Sequence, residues 1–262
     1  MPMHFEERGN KNAPTIVFMH GGGISGWMWQ KQWEAFLDFH MLIPDLPEHG
    51  GSMADGLISI KGCAEQMAGF IRGHASGGRA HVVGHSLGGK IAVQLLSTHP
   101  EVVDHAIVAS AIFRPIPLFK LFFNMPVYKL TVWMMKSKGI MDMQAKQMNF
   151  PNEYYRENFM KDSAAYTPKM LSRIYAEMNR HIKLPSGLEK SHVPTLVLAG
   201  EKELKAMRLS VCDIANALPN SRGFLVKEGR HTFTWENSEV FNDAIRSWIT
   251  DKKIENPSLL PV

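Results

Sequence analysis

The sequence predicts an α/β fold: a mostly parallel sheet with helices on both faces, interrupted once by a long helical segment. Three observations predict it. Short apolar runs alternate with segments of helical spacing, several of those runs are apolar almost without a break, and the alternation stops over residues 112–190.

The strand-type runs are TIVFMH (15–20), MLIPDL (41–46), AHVVGHS (80–86), HAIVAS (105–110), PTLVLAG (194–200) and GFLVKEG (223–229). A strand covered on one face alternates apolar and polar residues, whereas one covered on both faces reads as a continuous apolar run, as four of these do. Between them, residues 29–39, 60–71, 87–97, 209–218 and 240–249 carry apolar residues at helical spacing. Strands alternating with helices give a parallel sheet.

Residues 112–190 contain no convincing buried strand and turn rich in Met and aromatic residues, punctuated by Pro115, Pro117, Pro126, Pro151, Pro168 and Pro185. Several short helices are expected there. The organisation read from the chain is therefore a core of residues 1–111 and 191–262 with a helical cap of residues 112–190. The tail KKIENPSLLPV is expected to be poorly ordered.

Composition narrows the function classes. With 45% hydrophobic and 21% charged residues the chain can bury a sizeable core. The net charge of +4 comes from 29 basic and 25 acidic residues spread along the chain, too diffuse for a nucleic-acid partner. Cys63 and Cys212 lie far apart without CxxC spacing, and the histidines show no HExxH, so no metal or organic cofactor is expected and the compartment reads as reducing. No signal-like leader and no run of eighteen apolar residues is present, so the expectation is a soluble, cytoplasmic protein with no membrane anchor.

The chemistry is carried by Gly84-His85-Ser86-Leu87-Gly88, a GxSxG between a strand and a helix. Such a turn strains the serine backbone and leaves no room for a Cβ two residues before or after it, which Gly84 and Gly88 satisfy. A serine hydroxyl needs a base, and the base a third group to fix its tautomer. His231, in EGRHTF after the last apolar run, is the best placed of 12 histidines. The acid is sought after PTLVLAG, where Glu203 is favoured and Glu201 is the alternative. After the first apolar run comes Gly21-Gly22-Gly23, whose amides can approach a ligand closely. The oxyanion hole is assigned to the Leu87 amide with that of Gly22, or alternatively Gly23, and His20 to bracing this loop.

On these residues the chain resembles the α/β-hydrolase superfamily: HGGGISGWMW (20–29), PDLPEHGGS (44–52), GHSLGG (84–89), and the acid loop with GRHTF. Two positions depart from that pattern, Glu48 where relatives usually carry Gly and Glu203 where they usually carry Asp. The resemblance implies an eight-stranded, mostly parallel sheet with a helical cap inserted after the sixth strand. It leaves the substrate open, since members include esterases, lactonases, carbon–carbon bond hydrolases and receptors. The serine argues against the aspartate-based dehalogenases and epoxide hydrolases.

The function expected is that of a carboxylesterase acting on small to medium, largely apolar ester substrates through an acyl-enzyme. A carbon–carbon bond or lactone hydrolase with the same triad is the alternative, and a receptor-like binding protein with slow turnover a third reading. Phe113, Phe119, Phe122, Phe123, Met125, Trp133, Met134, Met135, Met141 and Met143 concentrate soft and aromatic side chains in the cap. Trp27, Phe113, Phe123, Met125 and Trp133 are the substrate-contact candidates, against the plainer reading that such residues pack the cap onto the core. Membrane-surface binding has no polybasic helix in its support.

Overall fold

The computed structural model describes residues 3–116 and 124–262. These form one eight-stranded sheet from β1 (Phe5–Gly9), β2 (Thr15–Met19), β3 (His40–Pro44), β4 (Ala80–His85), β5 (Val103–Ala109), β6 (Thr195–Gly200), β7 (Ser221–Val226) and β8 (Leu259–Pro261), in the order β1-β3-β2-β4-β5-β6-β7-β8. The edge pairs β1/β3 and β7/β8 are antiparallel and every pair between them is parallel. The six apolar runs are the six inner strands. Strand β2 shows why they read as continuous: Ile16 and Phe18 pack on one face of the sheet with Trp29, Phe36 and Phe241, while Val17 and Met19 pack on the other with Leu42, Met67 and Val82.

The helices of the sheet layers are α1 (Gln30–Ala35), α2 (Ile60–His74), α3 (Leu87–Thr98), α8 (Lys205–Ala217), α9 (Phe233–Glu236) and α10 (Ser238–Ile249), with four further helices lying between β5 and β6. Amphipathic spacing sets which side each buries. Helix α2 turns Ile60, Cys63, Ala64, Met67, Ala68 and Ile71 inward, and α10 turns Phe241, Ala244, Ile245 and Ile249. Helix α3 is the exception, buried from Leu87 through Leu96 because it lies against the centre of the sheet and is covered in turn.

Between β5 and β6 the chain forms α4 (Met125–Met135), α5 (Lys138–Gln147), α6 (Glu153–Ala165) and α7 (Pro168–Arg180). Local chemistry starts three of them. Asn124, Asn152 and Thr167 each accept a hydrogen bond from the amide three residues on, and Pro168 opens α7 where its missing N–H costs nothing. The side chains of Phe119, Phe122 and Phe123 lie outside the described residues.

Two expectations need correction, and one strand went unread. The insertion follows the fifth strand of this sheet, not the sixth, because only β1 precedes β2 and the eighth strand comes from the C-terminus. Strand β1 has no apolar signature, since FEERG is an edge strand whose Glu6 and Arg8 face solvent, the charge pattern that blunts an open edge. The tail is no loose end: Leu259 is buried and β8 pairs with Phe224 to Val226 after a turn in which the Asn256 carboxamide accepts from the Ser258 amide.

Strand β8 covers the edge of β7, with the Lys227 amide bonded to the Ser258 carbonyl at 2.8 Å. Deleting residues 258–262 is expected to cost about 2–4 kcal/mol, from exposure of Leu259 and loss of edge hydrogen bonds. Urea unfolding at neutral pH measures this, and an unchanged midpoint would mean the strand is dispensable.

Candidate active site

Ser86 sits between β4 and α3 with φ 53° and ψ −107°, outside the regions an L-residue occupies freely. Such a conformation costs on the order of 1–3 kcal/mol and persists only where neighbours fix it. Here the Ser86 amide donates to the Ala109 carbonyl on β5 at 2.8 Å, and the Gly88 amide to the His20 carbonyl at the end of β2 at 3.0 Å. The flanking glycines are required by contact. A Cβ at Gly84 would lie 2.3 Å from the Gly88 carbonyl oxygen, and one at Gly88 would lie 2.2 Å from that of Met19. The second clash is against β2, not across the turn, so Gly88 sets how closely α3 approaches the sheet.

His231 lies in the loop between β7 and α9, and its Nδ1–H donates to Glu203 Oε2 at 2.9 Å. Glu203 follows β6, and its other oxygen accepts from the Gly200 amide at 2.7 Å and the Ser110 hydroxyl at 2.6 Å. Burial pushes this carboxyl up, but the hydrogen bond and charge of His231, with the Ser110 and Gly200 donors, outweigh it and hold the group below its ordinary range. Glu201 turns elsewhere and accepts from the Glu228 amide at 2.8 Å. Of the two carboxylates weighed on sequence, the fold thus brings Glu203 to His231. Ser110, itself at φ 55°, carries no recognisable motif and becomes visible only because β5 and β6 are neighbours. His85 is a second partner hidden from the sequence: its Nε2–H donates to the His231 carbonyl at 3.0 Å, holding the loop from below.

The glycine loop is fixed at both ends. His20 Nδ1–H donates to the Gly21 carbonyl at 2.8 Å while its Nε2 accepts from the Leu46 amide at 2.9 Å, so both ring nitrogens are used and the imidazole braces the loop. Beyond the glycines, the Gly26 amide donates to Asp45 Oδ1 at 2.8 Å, and Asp45 Oδ2 takes the Gly51 amide at the same distance. Gly22 then lies beside Leu87 and beneath Ile174 and Met178 of α7, while Gly23, at φ +84°, faces open space.

Ser86 and His231 face a cleft under α4, α5 and α7 that has two lobes, of about 470 and about 310 Å³, sharing Gly22, Gly23, Ser86 and His231 in their walls. Thr131, Met134, Met135, Met143 and Met148 line the larger lobe, and Ile112, Ile116, Ile174, Met178 and Met207 the smaller. Helix α7 is anchored by carboxylates. Buried Glu48 accepts from Arg173 Nε at 2.8 Å and from the Ile58 amide at 3.0 Å, and Glu177 accepts from the Ile60 amide at 2.9 Å. Glu48 keeps the positive φ, 65°, that would suit a glycine, and the bond to Arg173 gives the departure from the family pattern a structural purpose. Lys90, one turn beyond Ser86 and buried, donates to the carbonyls of Ile112 and His181, at the two ends of the insertion, and burial pushes its ammonium down to about 7.

The substrate-contact candidates fall differently. Trp27 is buried with its indole N–H on Asp162 at 2.7 Å and its ring against Phe150 and Tyr155, so it seats α6 instead of lining the cleft. Phe113 packs under the Lys90 ammonium and lines a separate cavity. Met125 and Trp133 are exposed on α4, whose helical phase gives the cleft Thr131, Met134 and Met135 in their place. Phe123 is outside the described residues. Helical spacing shows which residues share a face but not which face the core will take.

Comparison with known proteins adds the following. A family model described as "Alpha/beta hydrolase family" matches residues 16–244. An "AB hydrolase superfamily protein" of Gibberella zeae is 37% identical over 124 residues, 44% of each chain. A protein of Serratia proteamaculans named "Putative carbamate hydrolase RutD" is 25% identical over 99% of this chain and all of its own. Among solved structures, an esterase of Thermogutta terrifontis superposes with a TM-score of 0.73 at 19% identity, covering 95% of this chain and 93% of that one, a likeness of fold.

The buried histidines make stability pH-dependent. Burial holds His85 and His49 down to about 3, with the charges of His231 and His20 acting in the same direction. Below the ordinary histidine value the unfolded chain therefore binds protons that the folded one refuses. Stability should fall as pH drops from about 6.5 towards about 3, by on the order of 1 kcal/mol per pH unit for each histidine. Unfolding free energies at pH 7 and pH 5 test this; equal values would refute it, and His49→Gln should flatten the slope.

Proposed function

This chain belongs to the alpha/beta hydrolase family, and from that premise we propose that it is a serine hydrolase of uncharged carboxylic esters working through an acyl-enzyme. The observation that carries the reading is the His231 to Glu203 hydrogen bond of 2.9 Å at the wall of a cleft shared with the strained Ser86.

In this mechanism Ser86 Oγ attacks the substrate carbonyl and passes its proton to Nε2 of a neutral His231, while Glu203 fixes the tautomer that leaves Nε2 free to accept. The oxyanion is received by the amides of Leu87, at the first turn of α3, and Gly22, where the helix dipole favours negative charge. His231 then protonates the departing alcohol, and a water it activates releases the acid and frees Ser86. The walls support this substrate class. Apart from histidine, Arg114 is the charged side chain among the described residues lining the two lobes, and Asp213 already takes it in a bidentate pair at 2.5 and 2.7 Å. A charged substrate would lose hydration there without gaining a partner. The lobes fall in the size range of small-molecule sites, and their methionines suit varied apolar groups. We assign α4 to α7, within residues 112–190, the role of a cap that selects the substrate. The carbamate name borne by a relative makes neutral carbamates a natural second class to assay, because the same nucleophile attacks that carbonyl.

p-Nitrophenyl esters from acetate to palmitate, lactones and neutral carbamates form the test panel. Short and medium acyl esters should turn over fastest, and Ser86→Ala should lose at least about 10³-fold in kcat. Full turnover by that variant would overturn the mechanism. Glu203→Gln should cost about 10²-fold or more in kcat. Ser110→Ala, which removes one hydrogen bond to the carboxylate, should cost about 10-fold with KM little changed. A Ser110→Ala enzyme with unchanged kcat would remove Ser110 from the relay.

A further inference from the structure

Helix α4 carries an apolar face that is exposed among the described residues. Leu130 and Trp133 are 56% and 65% exposed and Met134 is 40% exposed; at i, i+3 and i+4 they form one contiguous strip. Met143 on α5, 58% exposed, stands with Met134 in the wall of the larger lobe, so the strip runs from the outer surface to the mouth of the cleft. The exposed leucines of the sheet layers, Leu37, Leu57 and Leu204, lie far apart in the sequence, whereas these four side chains share one helix pair.

Within the stretch that carries the strip, the charged side chains are all of one sign. Lys129, Lys136 and Lys138 are exposed on the same stretch, residues 124–141 contain no Asp or Glu, and the next carboxylate, Asp142, is held by Arg156 at 2.6 Å. Helix α4 is not a polybasic amphipathic helix, but an exposed tryptophan and leucine with lysines beside them suit the boundary between lipid headgroups and acyl chains, where the apolar groups enter the acyl region and the ammonium groups reach anionic headgroups. A second copy of the chain fits less well, because a two-fold contact through this face would set lysines against lysines.

We propose that this face of α4 seats the protein on a membrane surface bearing anionic phospholipid, with Trp133 and Leu130 in the headgroup boundary and the cleft mouth turned towards the lipid. Among the described residues no helix is long and apolar enough to cross a bilayer, so the contact is peripheral. The surface binding stands on α4 alone. That the cleft draws an uncharged ester from the lipid phase rests in addition on the hydrolase mechanism proposed above.

Vesicles of phosphatidylcholine with and without phosphatidylserine test the proposal on the full chain. Of the six tryptophans Trp133 is the exposed one, so its emission should shift to the blue on phosphatidylserine vesicles, less on phosphatidylcholine alone, and return when salt is raised. Lys129→Glu/Lys136→Glu should abolish the shift. Leu130→Ser/Trp133→Ser should reduce co-sedimentation at least about 10-fold while keeping parent rates on a soluble acetate ester. Absence of a shift, co-sedimentation unaltered by Leu130→Ser/Trp133→Ser, or a concentration-dependent dimer that this variant dissolves would each overturn it. Ser86→Ala separates the two ideas: inactive protein that still binds vesicles upholds the surface whatever the fate of the hydrolytic mechanism.

Discussion

The structure turns on the close approach of three backbones around Ser86. Strand β4 delivers the serine, α3 leaves at once, and β2 passes so near that the Gly88 amide reaches the His20 carbonyl. No side chain larger than hydrogen fits at Gly84 or Gly88. The strain at Ser86 is local, but the restraint comes from β2 and β5, which lie on either side of β4. The central position of β4 and the burial of nearly all of α3 are therefore parts of one device. Movement of the serine would require repacking of the sheet beneath it.

Around that centre the fold holds the other groups by short polar links that cross between elements. Glu203 is shared by β6, the end of β5 and the His231 loop; His85 holds the same loop by its carbonyl; His20 and Asp45 fix the two ends of the glycine loop. Most are buried, and those to His231 partly so; an unpaired polar group there is costly, so each fixes a geometry more than it adds net stability. The insertion is tied down in the same manner, through Glu48 with Arg173, Glu177 with the Ile60 amide, Asp162 with Trp27 and Ser25, and Lys90 at its two junctions. Alignment of α7 over Gly22 thus depends on a loop that contributes nothing to the cleft wall itself. Glu48 illustrates the exchange: a residue type poorly suited to φ 65° is retained where its carboxylate meets an arginine from the insertion.

The helices between β5 and β6 play two parts through their two sides. Met134, Met135, Ile174 and Met178 turn adaptable apolar groups towards Ser86, while Leu130 and Trp133 turn the same chemistry outward. A helix apolar on nearly its whole circumference needs an explanation for the side that remains wet. In α4 that side has the exposed Lys129 and Lys136 along one border.

The six inner strands could be read from the sequence as apolar runs between helical segments, and the four buried throughout leave a continuous apolar signature. The strained serine was legible because a sharp strand-to-helix turn demands glycines at fixed offsets. Strands β1 and β8 were not legible, since edge strands are short and, in FEERG, charged by design against open pairing. Glu203 could be named only as one of two carboxylates, because the choice depends on where β6 lies relative to β5 and the His231 loop, a separation of 28 residues closed by the sheet. Ser110, His85 and Arg173 act through partners more distant still, 93, 146 and 125 residues away. The sequence by itself determined the elements and the residue types at the turn, for these follow from local sterics and periodicity. Only the tertiary structure decided which carboxylate meets the imidazole and which side of α4 faces the cleft, because periodicity gives a helix its faces without saying what each will meet.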